Sequence, residues 1–390
     1  MSDHMEPHQR RQQQTDKYER ALLLLPLRSL AGASKEEGTA RALASLVSQS
    51  VALCSEEVVV LLSCPELVPR DQCGSAQAPG PPYVWKHLQR VLALLYGAAG
   101  ERALEEDKPL LRFDVVPDWH CARRSALRDS EGKRPPQVVL MHSGDGEELE
   151  KLQSRRLQEG LSKLPSRSLT PQACLPERSS RLRNIGETTA RPPFSKRDHA
   201  YAAVGGTFDH LHVGHKILLT MAAWVPSETL FCGVTSASML KSKINRELLQ
   251  PEEVRLTEAR NFLQRIRPQI RYQVEIIDDP CGPAASDGTF SALVVSHETL
   301  SGGEFGLSKR FVRPETAYNP SHSVNSERAK RGLDPLEIFV IDVLAGAESE
   351  STRTDGHFPA AASPYADKLS STFIRGWLKS KSEKQRLERT

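Results

Sequence analysis

Residues 203–219, AVGGTFDHLHVGHKILL, decide the fold. An apolar run through Ala203 and Val204 closes on Gly205 and Gly206, and an amphipathic period opens at Val213 and continues through Ile217, Leu218 and Leu219. A strand therefore hands over to a helix within one short turn. Glycines at the strand end let the backbone come close to a bulky anion. His212 and His215 fall three residues apart on the first helical turn, so both rings face the same way. That turn also offers unpaired backbone N–H groups and the positive end of the helix dipole, which suits phosphate. Half-buried histidines packing a helix on its sheet are the competing explanation. It serves for one histidine and is strained for two that follow Gly-Gly-Thr and flank a glycine.

Outward from this seam, residues 200–390 alternate between strand and helix patterns. AYAAVGG, ETLFCGVTS, YQVEIID, SALVVSHET and LEIFVIDVL read as strands. HVGHKILLTMAAWV, PEEVRLTEARNFLQRI, VNSERAKRG and SSTFIRGWLKSK read as helices, with Pro251 suited to a first turn. The order predicts a Rossmann-like, doubly wound parallel sheet whose ligand sits beyond the carboxyl ends of the strands. Two polar insertions, 309–323 and 346–367, are expected as surface loops.

Upstream, ALLLLPL, EVVVLLSCPEL, RFDVVPDW and QVVLMHS read as strands, and ARALASLVSQSVAL and YVWKHLQRVLALLYGAAG as helices. The chain thus divides into a disordered tail at 1–19, an α/β domain of unassigned role at 20–150, and a linker at 151–199. A second α/β domain follows at 200–382, with a charged tail at 383–390. The linker is rich in serine, proline and arginine and sustains no apolar period. The first domain shows no glycine-rich phosphate loop and no paired nucleophile and base, so it reads as scaffold or regulatory.

Composition narrows the class. A formal charge of +3 on 390 residues does not by itself indicate a nucleic-acid binder. Seven scattered cysteines without a C-x-x-C pair indicate neither a disulfide framework nor a zinc site, and read as reduced thiols in a cytoplasmic protein. The N-terminal stretch fits neither a signal nor a transit peptide, and no apolar run approaches a membrane span.

Two further elements support a phosphate site. Ser370, Ser371 and Thr372 precede the last helix, where hydroxyls can cap its N-terminus and meet phosphate oxygens, with Arg375 one turn on. A plain serine cap is the alternative. Lys241 and Lys243 lie in a loop after the second strand of this domain and would otherwise be a solvated charge pair.

Gly-Thr-Phe-Asp with His-Val-Gly-His, followed near the end by Ser-Ser-Thr-Phe-Ile-Arg, resembles the HxGH and ISSTxIR motifs of the nucleotidylyltransferase superfamily. MLKSKINRELLQPEEVR (239–255), DDPCGPAASD (278–287), LVVSHETLSGG (293–303) and RGLDPLEIFVIDVL (331–344) are similar to the phosphopantetheine adenylyltransferases of eukaryotes and archaea. They especially resemble the adenylyltransferase half of the bifunctional coenzyme A synthase of animals. The sequence has no downstream G-x-x-x-x-G-K-[ST] loop, so the kinase half is not expected and a monofunctional, fungal-like enzyme is. The resemblance implies AMP transfer from ATP to 4′-phosphopantetheine, giving dephospho-coenzyme A and pyrophosphate. By motif position, His215 and His212 contact the ATP phosphates, and Gly206, Thr207 and Phe208 lie at the junction of ATP and acceptor. Lys241 or Lys243 binds the acceptor, and Ser370, Ser371, Thr372 and Arg375 hold the β- and γ-phosphates. Asn325 and Arg328 match an Asn-x-x-Arg segment, Arg328 being a phosphate candidate whose alternative is an exposed helix charge. Mg²⁺ is expected on the ATP oxygens, without a protein cage. A separate dephospho-coenzyme A kinase is a possible partner on the same grounds. Rival readings are a cytidylyltransferase, a nicotinamide mononucleotide adenylyltransferase, and a non-catalytic scaffold.

Overall fold

Two five-stranded, all-parallel sheets follow one another along the chain. A computed structural model describes residues 17–67, 82–118, 135–171, 199–296, 320–341 and 370–387. The first unit comprises β1 (Tyr18–Pro26), α1 (Leu30–Lys35), α2 (Glu37–Ala52), β2 (Cys54–Ser63), α3 (Pro82–Glu105), β3 (Arg112–Pro117), β4 (Val138–His142), α4 (Gly146–Gln158) and β5 (Ser166–Leu169). The second comprises β6 (Tyr201–Gly206), α5 (Val213–Trp224), β7 (Thr229–Thr235), α6 (Glu252–Ile266), β8 (Arg271–Ile277), β9 (Ala292–Ser296), α7 (Pro320–Lys330), β10 (Glu337–Ile341) and α8 (Ser371–Leu387).

The sheets run β3-β2-β1-β4-β5 and β10-β9-β6-β7-β8. Counted from its own first strand, each has the order 3-2-1-4-5, so the two halves share one topology. β1 is central and buried on both faces, which is why Ala21–Leu25 is a continuous apolar run rather than an alternation. In the second sheet, Ala203, Phe231, Leu293 and Val295 face one core. Their neighbours Ala202, Val204, Leu230, Cys232, Ala292 and Val294 face the other, and that core is continuous with the core of the first unit. α3 packs directly on α5 across the boundary.

β6 pairs with β7 as far as Gly206↔Val234, but with β9 only as far as Val204↔Val294. The last two residues of β6 therefore stand clear of β9. That is the point where strand order reverses, the place expected for ligand binding in this architecture.

Three expected boundaries are corrected. The segment read as a linker from residue 151 begins inside α4 and supplies β5, so the first sheet runs to Leu169. Its apolar signal is weak because polar side chains fill buried positions. Gln153 exchanges hydrogen bonds with the Leu164 backbone at 2.7 and 3.1 Å, and Arg156 donates to Ser162 O at 2.9 Å. The segment read as a charged tail from 383 continues α8 to Leu387 as an exposed amphipathic turn. α7 begins at Pro320, inside the first insertion. The expectations for 1–16, for 172–198 and for most of both insertions fall outside the described residues.

No helix among the described residues is long and apolar enough to cross a membrane. Cys54 and Cys64 are buried, and burial pushes both thiols up to about 12, so they are inert core side chains rather than nucleophiles.

Candidate active site

The site grows from the carboxyl end of β6. A Cβ on Gly206 would stand 2.9 Å from the ring of Phe208, which is fully buried and cannot move aside, so only glycine lets the strand turn back at this point. Phe208 (φ 49°) and His210 (φ 47°) both take left-handed conformations to make the turn. Such residues are strained outside glycine and persist where the surroundings fix them.

Those surroundings are a buried polar hub that sequence reasoning missed. Asp209 has no exposed surface; its Oδ1 accepts from Gln250 N at 2.9 Å, and its Oδ2 pairs with Arg375 Nη1. The Asp209 carbonyl accepts from Ser371 Oγ at 3.0 Å, and His210 N donates to Gln250 Oε1 at 2.6 Å. Arg255, 1% exposed, donates to Thr207 O and Thr235 O, both at 2.8 Å, and to Gln250 O at 3.1 Å. One guanidinium thus laces the ends of β6 and β7 together. The available signal was the lone acid and lone arginine inside motifs otherwise suited to anions, since each needs an opposite charge or a set of carbonyls once buried.

His212 caps α5, its Nδ1 accepting from Gly214 N at 3.2 Å. Burial, and then the neighbouring Lys216, His210 and Arg375 side chains, push the His212 imidazole down to about 3. The ring is therefore neutral at pH 7, and because Nδ1 accepts, its proton sits on Nε2. His215 stacks on His212 with centroids 3.8 Å apart, and meets the edge of Phe208 at 5.3 Å. Burial, His212 and Lys243 hold it well below the ordinary histidine range. Its Nδ1 is buried with no hydrogen-bond partner among the described residues. An orphaned polar atom on the first turn of α5 is a cost that a bound ligand can remove.

The N-terminus of α8 converges on the same turn. Ser370 Oγ accepts from Phe373 N at 3.2 Å, and Thr372 Oγ1 accepts from Arg375 Nη2 at 3.3 Å. Both hydroxyls act as acceptors here, so each keeps a proton to donate, while Ser371 keeps an acceptor lone pair. Lys243 lies close enough that burial and Arg375 lower its ammonium while Asp209 pulls it back. Lys241 is exposed and instead lines a neighbouring cavity of about 440 Å³ with Ser238, Arg246, Pro251 and Arg255.

A family profile described as cytidylyltransferase-like matches residues 203–375. A phosphopantetheine adenylyltransferase of Pyrobaculum aerophilum is 35% identical over 182 residues, covering 47% of this chain and 94% of that protein. This chain belongs to the phosphopantetheine adenylyltransferase family. A phosphopantetheine adenylyltransferase of Saccharomyces cerevisiae is 34% identical over 197 residues, 50% of this chain and 54% of the relative. An uncharacterized protein of Schizosaccharomyces pombe is 37% identical over 174 residues, 45% and 46% respectively. The chain spans about half the length of these two fungal relatives.

Within the family's motifs, the structure brings together Gly206, Thr207, Phe208, His212, His215, Lys243, Ser370, Ser371 and Thr372. Two further candidates are engaged by the protein's own groups in this structure. Arg375, expected to balance phosphate charge, is 1% exposed and occupied by Asp209, by Ile244 O at 3.0 Å and by Thr372. It joins α8 to the β6 turn instead. Arg328, read either as a phosphate candidate or as an exposed helix charge, is also 1% exposed and donates to four backbone carbonyls: Asp334, Ala284, Asp287 and Phe290, at 2.6–3.2 Å. Asn325 exchanges two hydrogen bonds with the Leu336 backbone, at 3.1 and 2.8 Å. Both side chains are thus satisfied by surrounding backbone, as the donors of a guanidinium or amide withdrawn from water require.

Proposed function

We propose that this chain transfers AMP from ATP to 4′-phosphopantetheine. An oxygen of the acceptor's phosphate attacks the α-phosphorus of ATP, the bond from that phosphorus to the α–β bridging oxygen breaks, and pyrophosphate leaves with the electron pair. No proton needs to be abstracted, because the attacking phosphate is already ionised. The task is to hold two crowded anions in line and to stabilise the charge that builds on the departing oxygens.

The observation that carries this reading is the pair of stacked, neutral histidines, with His215 Nδ1 unpartnered, where two helix N-termini meet a glycine strand end. Gly206 and Thr207 let the phosphates approach the backbone, and the buried Phe208 supports that turn from beneath. His212 Nε2–H and His215 donate toward the reacting phosphates. The protons left on Ser370 and Thr372 and the N-terminus of α8 receive the β- and γ-phosphates, with Ser371 fixing that helix to Asp209. Lys243 neutralises the acceptor phosphate, while Lys241 stands at the outer cavity as a lesser acceptor contact.

The donor set fits phosphate oxygens. Among the described residues no group of three or more His, Cys, Asp or Glu side chains could hold a metal ion. Mg²⁺ brought in with ATP would neutralise phosphate charge beside Ser370, Thr372 and the histidine pair, and would keep much of its water shell. The protein acts in the cytoplasm, and a separate dephospho-coenzyme A kinase is the partner that would consume its product.

The test is substrate choice. Purified protein is given ATP or CTP with 4′-phosphopantetheine, nicotinamide mononucleotide or phosphocholine, and pyrophosphate is measured. Release only with ATP and 4′-phosphopantetheine supports the proposal. Preference for CTP or for the mononucleotide would replace it with another transferase on this scaffold, and no release with any pair would favour a scaffold role.

A further inference from the structure

The face of α5 turned away from the strand ends is covered by the first half of the chain. Lys216 follows His215 directly and is only 9% exposed. Its ammonium crosses the boundary, donates to Phe113 O at 2.9 Å, and lies 2.8 Å from Asp114 Oδ1. Arg265 of α6 reaches the same carboxylate: its Nη1 is 2.5 Å from Asp114 Oδ2 and 2.7 Å from Glu57 Oε1. Asp114 is 4% exposed. Burial alone would raise its carboxyl, but Lys216, Arg265 and Arg112 outweigh it and hold the group well below the usual carboxylate range.

The other helix of the site is tied to the same segment. Trp377 of α8 donates from Nε1 to Asp107 Oδ1 at 2.9 Å. Residues 107–114 thus touch both helices whose N-termini form the site. The seam between the halves holds a cavity of about 270 Å³, lined by Phe113, Asp114, His210, His212, Lys216 and Ile374 among others. The cavity borders the catalytic turn at His210 and His212, and the Lys216 anchor stands at its edge.

We propose that Asp114 is a positioning residue for the transfer reaction: it anchors Lys216, and through Lys216 it fixes the first turn of α5, which presents His212 and His215. The inference rests on the adenylyltransferase reading and gives the first half of the chain a role in it. Removing the carboxylate leaves two buried cations, Lys216 and Arg265, facing each other without it, and α5 shifts to hydrate its lysine. A displacement of about 1 Å at a reacting centre can cost about a hundredfold in rate.

The experiment uses the full chain and compares Asp114→Asn, Lys216→Met, their double variant, and Glu258→Gln. The last breaks the Arg112–Glu258 pair at 2.6 Å in the same seam without touching α5. ATP formation from dephospho-coenzyme A and pyrophosphate gives kcat and KM, and amide exchange reports on residues 207–224. Asp114→Asn should lower kcat between about tenfold and a hundredfold, with both KM values within about twofold, and should speed exchange in the first turn of α5. The double variant should be no slower than Lys216→Met, because the two changes remove one interaction. Glu258→Gln should lower the melting temperature and leave kcat within about twofold.

Wild-type kcat in Asp114→Asn, or an equal loss in Glu258→Gln, would overturn the proposal. Should the wild type make no ATP from this pair, the adenylyltransferase reading fails, and exchange still decides the anchor. Faster exchange in Asp114→Asn than in Glu258→Gln supports it, and equal exchange overturns it.

Discussion

Asp209→Asn perturbs the hub on which both halves of the site hang. The substitution keeps the side chain's volume and can still accept from Gln250 N, so packing around the β6 turn is preserved. It removes the charge opposite Arg375, a guanidinium 1% exposed, against a partner with no exposed surface. An asparagine amide can also present donors to a guanidinium that has only donors. Breaking a buried pair from one side costs about 3–5 kcal/mol, because the remaining charge stays buried. For a domain of about 200 residues, each kcal/mol corresponds to about 2–4 °C, so the melting temperature should fall by about 6–20 °C. Thermal and urea unfolding at pH 7 would measure it, alongside Arg375→Met and the double variant. The double variant should be more stable than Asp209→Asn alone, since it leaves no orphaned charge. Asp209→Asn within about 1 kcal/mol of wild type, or simple additivity in the double variant, would refute the reasoning.

Three further outcomes follow from the same geometry. Lys243→Ala should raise the KM for the phosphorylated acceptor by about tenfold or more, the scale of one charge-assisted hydrogen bond, while Lys241→Ala stays within about twofold; steady-state kinetics with both variants decides it. Arg328→Gln should lose about 3 kcal/mol or more in urea unfolding, since four buried carbonyls lose their donor, with KM for ATP unchanged. Acid should weaken the fold well before the carboxylates titrate. Burial, with the cations Lys35, Arg90 and Lys86, pushes His87 down to about 4, and His212 lies at about 3, so the unfolded chain binds protons first as pH falls below about 6.5. Stability present at neutral pH is lost in that window, by about 2 kcal/mol per histidine at pH 5, whereas the carboxylates held low at Asp114, Glu106 and Asp287 stay ionised there. Urea unfolding at pH 7 and pH 5, with and without His87→Gln, measures the difference.

What the sequence disclosed and what it hid have physical causes. The β6–α5 seam was legible because glycine, a histidine pair and a change of hydrophobic period are local signals, whereas the distant partners that hold its turn were not. The roles of Arg375 and Arg328 were not, because both look like anion ligands in one dimension. Only the fold shows that Asp209, Ile244 and Thr372 engage Arg375 and that four carbonyls engage Arg328. α4 and β5 escaped notice for a related reason. Gln153 and Arg156 fill positions where apolar residues usually carry the pattern, and their hydrogen bonds run to backbone several residues away. The contact of Asp114 with Lys216 spans 102 positions of sequence, and nothing local to either residue announces the other. The shared strand order of the two sheets is likewise a property of pairing, which the linear alternation of strands and helices allows but does not dictate.

The most direct test of the central claim is ATP formation from dephospho-coenzyme A and pyrophosphate with Mg²⁺, comparing wild type with His215→Ala. Circular dichroism and melting temperature would confirm that the variant is folded. The account predicts robust activity in the wild type and a loss of about a hundredfold or more in the variant, the scale of one preorganised transition-state donor. Equal turnover by a folded His215→Ala protein would contradict it.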